Sequence, residues 1–391
     1  MFSETVKRGG GRLKTEESFS GGKRRVAFFS GDITRGGGTE RVGTIIANAL
    51  CAREQYEIFV VSLTEEHEAA FKLSERIVRE AFSDRWITPG PGYVPVIFKL
   101  RRFVKRHRID VLVDIDGVLD VLSLPVKGMT GVKVVSWEHF HFYEDMGTRY
   151  RGAIRRLAGR FADAIVTLTQ MDRGFYLENL NIRHEICVIH NPADYFCVGE
   201  KPVRDFAEKE LLSVGGLVPA KGFLRIPRIA QLLKERYGGN FTWRIAGEGE
   251  QRAEIEAEIL RRGVGDCVKL EGFVTDVAPL YARALVYVMT SEHEGLPMVL
   301  LEAKRFSLPA VSFDIRTGPS ELIEDGVGGC LIPVSDDGEA HLAAMADAIG
   351  RLLTDEARYR AFEAHAGDHL EDFSTEKAAG QWEALFGRLL G

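Results

Sequence analysis

Twelve short apolar runs, each followed by a stretch with helical spacing, constrain this 391-residue chain more than any other feature. Six fall in the first half: VAFFSGD (26–32), EIFVVSL (57–63), VLVDID (111–116), VKVVSWEH (132–139), AIVTLT (164–169) and ICVIHN (186–191). Their unbroken, β-branched character suits parallel strands covered on both faces. Segments such as TERVGTIIANALCARE (39–54) carry the 3.6-residue spacing of the crossover helices between them. The alternation predicts a Rossmann-like α/β domain over 25–190. NPADYFCVGEKPVRDFAEKE (191–210) breaks it with Pro, Gly and unpatterned charge, which reads as a linker. Six more runs then follow: LLSVGGL (211–217), FTWRIAG (241–247), CVKLEGF (267–273), LVYVMTS (285–291), PAVSFDI (309–315) and GCLIPV (329–334). A second Rossmann-like domain is expected over 211–371, and a final helix over 372–391 with Ser374 as its N-cap. In such a pair, ligands sit beyond the carboxyl ends of the strands, in the cleft between domains.

Composition narrows the class. No apolar run approaches the roughly 20 residues of a membrane span. Residues 1–24 are rich in Gly, Ser, Lys and Glu and contain no apolar core of a signal peptide, so a disordered leader is expected. The five cysteines are scattered and form no C-x-x-C pair, which disfavours a disulfide framework or a structural zinc site. A reducing, cytoplasmic setting fits them. Charge is uneven: residues 1–200 hold 29 Lys and Arg against 26 Asp and Glu, and the remainder 22 against 31. KLRRFVKRHR (99–108) and RYRGAIRRLAGR (149–160) are either solvated helix faces or a surface that meets an anionic acceptor or anionic lipid on the cytoplasmic face of a membrane. Nucleic acid is not expected, since no stacking or groove-reading motif accompanies those charges.

Four segments carry chemistry. In SEHEGLPMVLLEA (291–303), Glu294 and Glu302 are separated by seven residues, with Pro297 expected as the first helical residue. The free N–H groups of Met298 and Val299 would face the cleft, and a helix N-terminus is a natural diphosphate site. SVGGLVPAKGF (213–223) ends a strand in Gly215-Gly216 and carries Lys221-Gly222 into a helix. Glycine permits close backbone approach, and the lysine offers a point charge to phosphate. SGDITRGGGTERVG (30–43) is a glycine loop, but it has no Walker lysine and no third dinucleotide glycine, because position 41 is Arg. An NTPase or dehydrogenase is therefore a poor reading. In SWEHFHFYED (136–145), His139 and His141 have metal-ligand chemistry, yet the sequence offers no further cluster to complete a site. Asp114-Ile115-Asp116 ends an apolar strand, where a structural role is expected.

Together these segments resemble the retaining glycosyltransferases of family 4, which have the GT-B fold: two Rossmann-like domains facing each other across a cleft. The resemblance runs from about residue 25 to 390. It rests most on Glu294 and Glu302, then on Gly37-Gly38 with Glu40-Arg41, Trp137-Glu138-His139, Lys221-Gly222, Gly272-Phe273 and FDIRTGPSELIEDGVGG (313–329). The last run is similar to bacterial members that build capsule, exopolysaccharide and lipopolysaccharide from UDP-sugars. The resemblance implies that Glu302 holds the nucleotide ribose, Glu294 the donor sugar with Gly295 and Leu296 beside it, and Lys221 the diphosphate. The backbone of Gly272, Phe273 and Val274 would hold the base, and His139 would lie beside the transferred sugar. It also implies no metal and no cofactor, a lipid-linked or saccharide acceptor, and a final helix that returns to the first domain. Many relatives have Arg where this chain has Gly216; Arg41 or Arg316 would have to replace that cation. Two other functions share the architecture, a nucleotide-sugar epimerase and a non-catalytic nucleotide-sugar binder. Neither is demanded by a motif here.

Overall fold

The computed structural model describes residues 22–85, 87, 90–145, 150–193, 201–335 and 337–391. Residues 1–21 of the expected leader lie outside them, and Arg24 already belongs to the first strand. The first unit comprises β1 (Arg24–Ser30), α1 (Gly38–Cys51), β2 (Tyr56–Ser62), β3 (Val78–Ala81), α2 (Tyr93–His107), β4 (Val111–Ile115), α3 (Asp120–Thr130), β5 (Lys133–Trp137), α4 (Tyr150–Phe161), β6 (Ala164–Thr167), α5 (Gln170–Asn179) and β7 (Glu185–Val188). The second comprises β8 (Glu210–Val214), α6 (Ile226–Tyr237), β9 (Thr242–Ala246), α7 (Arg252–Arg262), β10 (Val268–Gly272), α8 (Ala278–Arg283), β11 (Val286–Met289), α9 (Met298–Arg305), β12 (Ala310–Asp314), α10 (Pro319–Leu322), β13 (Gly329–Pro333), α11 (Gly338–Thr354) and α12 (Glu356–His365). A last helix, α13 (Thr375–Leu390), follows.

Among the described residues the strands form two parallel sheets, ordered β3-β2-β1-β4-β5-β6-β7 and β10-β9-β8-β11-β12-β13. Each is a doubly wound sheet whose order reverses beside its first strand, which opens a crevice at the carboxyl edge. The continuous apolar runs reflect burial on both faces. In β1, Val26 and Phe28 pack with Ile46 and Leu50 of α1, while Ala27 and Phe29 face Leu100 and Phe103 of α2. All twelve apolar runs coincide with strands. A thirteenth, β3, was not expected: VREA is largely exposed, and only its pairing with β2 makes it a strand. Edge strands carry little hydrophobic signature of their own.

The segment expected to be a plain linker is partly interior. Residues 194–200 lie outside the described set, but Arg204 is buried, donating to the carbonyls of Tyr281 and Phe306 and pairing with Glu363 at 3.1 Å. The chain then crosses back. Ala193 N–H donates to the carbonyl of Phe373, and α13 lies against α1. The Ser374 side chain caps α13 by accepting from Lys377 N–H at 3.2 Å. Trp382 is wholly buried against Phe28 and Trp137, with ring centroids 6.3 and 4.9 Å away. The final helix thus completes one face of the first sheet. The four described cysteines, Cys51, Cys187, Cys267 and Cys330, are free; Cys197 lies outside the described residues. No described helix is long and apolar enough to cross a membrane.

Candidate active site in the interdomain cleft

The carboxyl ends of the two sheets face each other across a cleft of about 1380 Å³. The first unit contributes the glycine loop after β1, with Gly36, Gly37, Gly38 and Arg41, and the strand end after β5, with His139, His141 and Glu144. The second contributes the loops after β8, β9, β10 and β11 and the start of α9. Gly216, Lys221, Phe273, Val274, Glu294, Gly295, Leu296, Met298, Val299 and Glu302 all line it, as do Gly37, Gly38 and His139. Gly272 is the exception. It lies behind the wall with φ of 73°, and its carbonyl accepts from Gly247 N–H at 2.8 Å.

The loop after β11 is held rigidly. Lys221 Nζ lies 2.7 Å from Glu294 Oε1, which also accepts from Ser291 Oγ at 2.8 Å, while Thr317 Oγ1 donates to the Glu294 carbonyl. Glu292 N–H donates to Ala220 at 2.9 Å and Thr290 Oγ1 to Lys221 at 3.0 Å, tying this loop to the one that carries the lysine. Helix α9 begins one residue later than expected: Pro297 is the N-cap, with ψ of 112°, and its carbonyl receives the first helical bonds from Leu300 and Leu301. The amides of Met298 and Val299 precede any acceptor within the helix, so they are left for the cleft. One turn further on, Glu302 is 4% exposed; its Oε2 accepts from the Tyr281 hydroxyl at 2.7 Å.

Across the cleft, Arg41 reaches from α1 to Glu302, with Nη1 3.1 Å from Oε1. The sequence hinted at this only through the glycine loop, since Arg41 and Glu302 lie 261 residues apart. Close approach of the domains is built into Gly295, where a Cβ would overlap the carbonyl oxygen of His139. His139 itself is buried beneath the cleft against Trp137, with ring centroids 4.6 Å apart. Burial lowers its pKa to about 4, so the imidazole is neutral, and its Nε2 has no partner among the described residues.

The two aspartates of the D-x-D segment are elsewhere. Asp114 is buried beside Asp120 and accepts from Ser123 Oγ, and Asp116 forms a two-pronged pair with Arg151 at 2.7 and 3.1 Å. His139 and His141 do not converge on one ion site either. His141 instead meets Glu144 from its own domain and His293 from the other, a grouping the sequence reading lacked because His293 belongs to a distant loop. Arg316, proposed as a spare cation, stacks on the Tyr143 ring at 4.9 Å.

Sequence and structure comparisons identify the family and the fold. Residues 36–195 match the family described as Glycosyltransferase Family 4, and residues 200–368 match Glycosyl transferases group 1. The chain belongs to the GT-B glycosyltransferases. It is 27% identical to an uncharacterized glycosyltransferase of Haemophilus influenzae, over 93% of this chain and 99% of that protein. It is 24% identical, over 92% of this chain and 98% of the relative, to a Campylobacter jejuni α-1,4-N-acetyl-D-galactosaminyltransferase whose named acceptor is a diphosphoundecaprenol-linked saccharide. Among solved structures, HepE of Anabaena in complex with UDP shares the fold of this glycosyltransferase, with a TM-score of 0.74 at 19% identity, covering 93% of this chain and all of that one.

Proposed function

We propose that this glycosyltransferase moves a hexose or N-acetylhexosamine from a UDP-sugar to a lipid-linked or polysaccharide acceptor in bacterial surface glycan synthesis, with retention and without a metal. One observation carries the reading. Two carboxylates, Glu294 and Glu302, line one wall of the cleft with the free amides of α9, and each is already paired with a cation, Lys221 and Arg41. Such a wall accepts a diphosphate on its cations and amides, and hydroxyls of ribose and sugar on its carboxylates. The Campylobacter relative's named acceptor and the UDP bound to HepE support the donor and acceptor classes.

In this reading Glu302 takes the ribose hydroxyls, Glu294 the donor sugar and Lys221 the diphosphate, and Phe273 and Val274 flank the base. His139 offers its unpartnered, neutral ring nitrogen to a sugar hydroxyl. Arg41 replaces the cation missing at Gly216: when ribose occupies Glu302, the guanidinium is released towards the diphosphate. The bond from the anomeric carbon to the diphosphate oxygen breaks through an oxocarbenium-like state. The charge gathering on the diphosphate meets Lys221 and the amides of Met298 and Val299, held in place beforehand, and the Arg41 that ribose binding has freed. The acceptor hydroxyl attacks on the face the diphosphate leaves, its proton passes to a diphosphate oxygen, and UDP departs. Closure of the domains excludes water, which would otherwise hydrolyse the donor.

Purified protein tested against UDP- and GDP-sugars should release UDP, faster with acceptor, and NMR of the product should find the donor's anomeric configuration. Excess EDTA should not lower the rate by more than about twofold. An inverted product, a free sugar epimer, or a rate abolished by chelation would each overturn part of this reading.

A further inference from the structure

The mouth of the cleft holds a second cluster that the transfer reaction does not use. His141 and Glu144 follow β5 in the first domain, and His293 stands in the loop after β11 in the second. Their ligand-capable atoms all lie within 4.8 Å of one another. We propose that His141, Glu144 and His293 form an interdomain site for a divalent transition metal of the Zn²⁺ class, which latches the two domains together.

Tetrahedral zinc with bonds of about 2.0–2.1 Å needs ligand atoms roughly 3.4 Å apart. His293 Nδ1 already lies 3.8 Å from Glu144 Oε2. His141 is fixed and buried, whereas the His293 side chain is 52% exposed, so the contraction falls on the ligand that can turn. Whichever ring nitrogen of His141 binds, one contact is surrendered: Tyr143 N–H now donates to Nδ1, at a long 3.2 Å. Two imidazoles and one carboxylate suit zinc rather than magnesium, which prefers oxygen ligands and keeps its waters. Three protein ligands leave the fourth position to water. Two guanidiniums nearby, among the described residues, are held by other groups. Arg155 donates to the carbonyls of Phe142 and Glu144 and pairs with Asp145, and Arg316 lies on Tyr143.

Because the ligands come from both domains, a bound ion opposes opening, and opening is how donor enters and product leaves. The ion is a brake on turnover and no part of the diphosphate site, so its binding is measured without donor and stands apart from the function proposed above. Chelator-stripped, untagged full chain titrated calorimetrically with Zn²⁺ should bind one ion. Co²⁺ in its place should give the intense visible bands of a four- or five-coordinate site. His293→Ala and Glu144→Gln should each weaken binding about tenfold or more while melting like wild type. Small-angle scattering should narrow on adding Zn²⁺ to wild type and stay unchanged for His293→Ala. Absence of one-to-one binding, or Zn²⁺ affinity retained in either variant, would overturn the site. Bound ion with unaltered scattering would overturn the latch.

Discussion

Lys221 is held by its own backbone and by Glu294, so it faces the cleft without reorganising when charge develops there. Loss of a single preorganised donor at such a point costs about 3 kcal/mol of barrier or more, a factor of 10² to 10³. Lys221→Ala should therefore keep its melting temperature and lose at least about a hundredfold in UDP release; a loss under about tenfold would make it a loop-positioning residue. The buried acids Asp114 and Asp120 act on stability instead. Burial pushes Asp114 up to about 7 and holds Asp120 well above the usual carboxylate range, and one oxygen of each meets no donor among the described residues, so the pair holds a proton. The unfolded chain releases that proton above about pH 4. Between there and about pH 7 the native state binds more protons than the unfolded one, so stability falls as pH rises through this window. Asp114→Asn should flatten this fall, seen as a smaller loss in urea midpoint between about pH 5 and pH 8. An equal loss in both proteins would place the titration elsewhere. Glu294 and Glu302 in one segment and Lys221 in another were legible in the sequence because each motif is local. Arg41 on Glu302 and His293 near His141 were not, since only the closed cleft brings them together.

Helices α2, α3 and α4 lie side by side on one face of the first sheet. The basic runs on two of them divide in the structure. Arg151 and Arg155 turn inward to Asp116, Glu138 and Asp145, whereas Arg102, Lys105, Arg156 and Arg160 face solvent. Beside these cations stand the exposed apolar groups Val94, Phe98, Met129, Leu157 and Phe161. Phe98 of α2 is 59% exposed. A face that mixes exposed apolar groups with cations suits an anionic leaflet, where each cation contributes about 1 kcal/mol, screened within about 8 Å at physiological salt. Phosphatidylserine vesicles should sediment the protein at low salt and neutral vesicles should not. Reversing Arg102, Lys105 and Arg156 to Glu should abolish this and spare donor hydrolysis. Equal binding to both vesicle types would leave these helices as solvated faces. Strands were readable wherever burial on both sides demanded unbroken apolar runs, and β3 was missed because its neighbour defines it. Burial of Arg204 in the linker was not legible, because a lone arginine in a charged stretch gives no sign of it.

At the scale of the whole molecule, the chain is anchored at both of its crossings between the units, the linker into the second by Arg204 and the C-terminal segment onto the first by α13. Truncating a large buried aromatic typically costs 3–5 kcal/mol. Trp382→Ala should lower the melting temperature by several degrees and expose amides of β1 and β5 to hydrogen exchange, although the residue belongs to the far end of the sequence. Protection lost only in the second sheet would contradict the packing described here. The same arrangement bears on how the protein is made. Phe28 and Trp137 leave the ribosome long before Trp382 is translated, so the first sheet waits through the synthesis of the entire second domain with part of one apolar face, beyond the reach of α1, uncovered. Domains commonly fold in the order they emerge. Here the earlier one cannot finish first, and during that interval its bare face is a natural client for a holding chaperone.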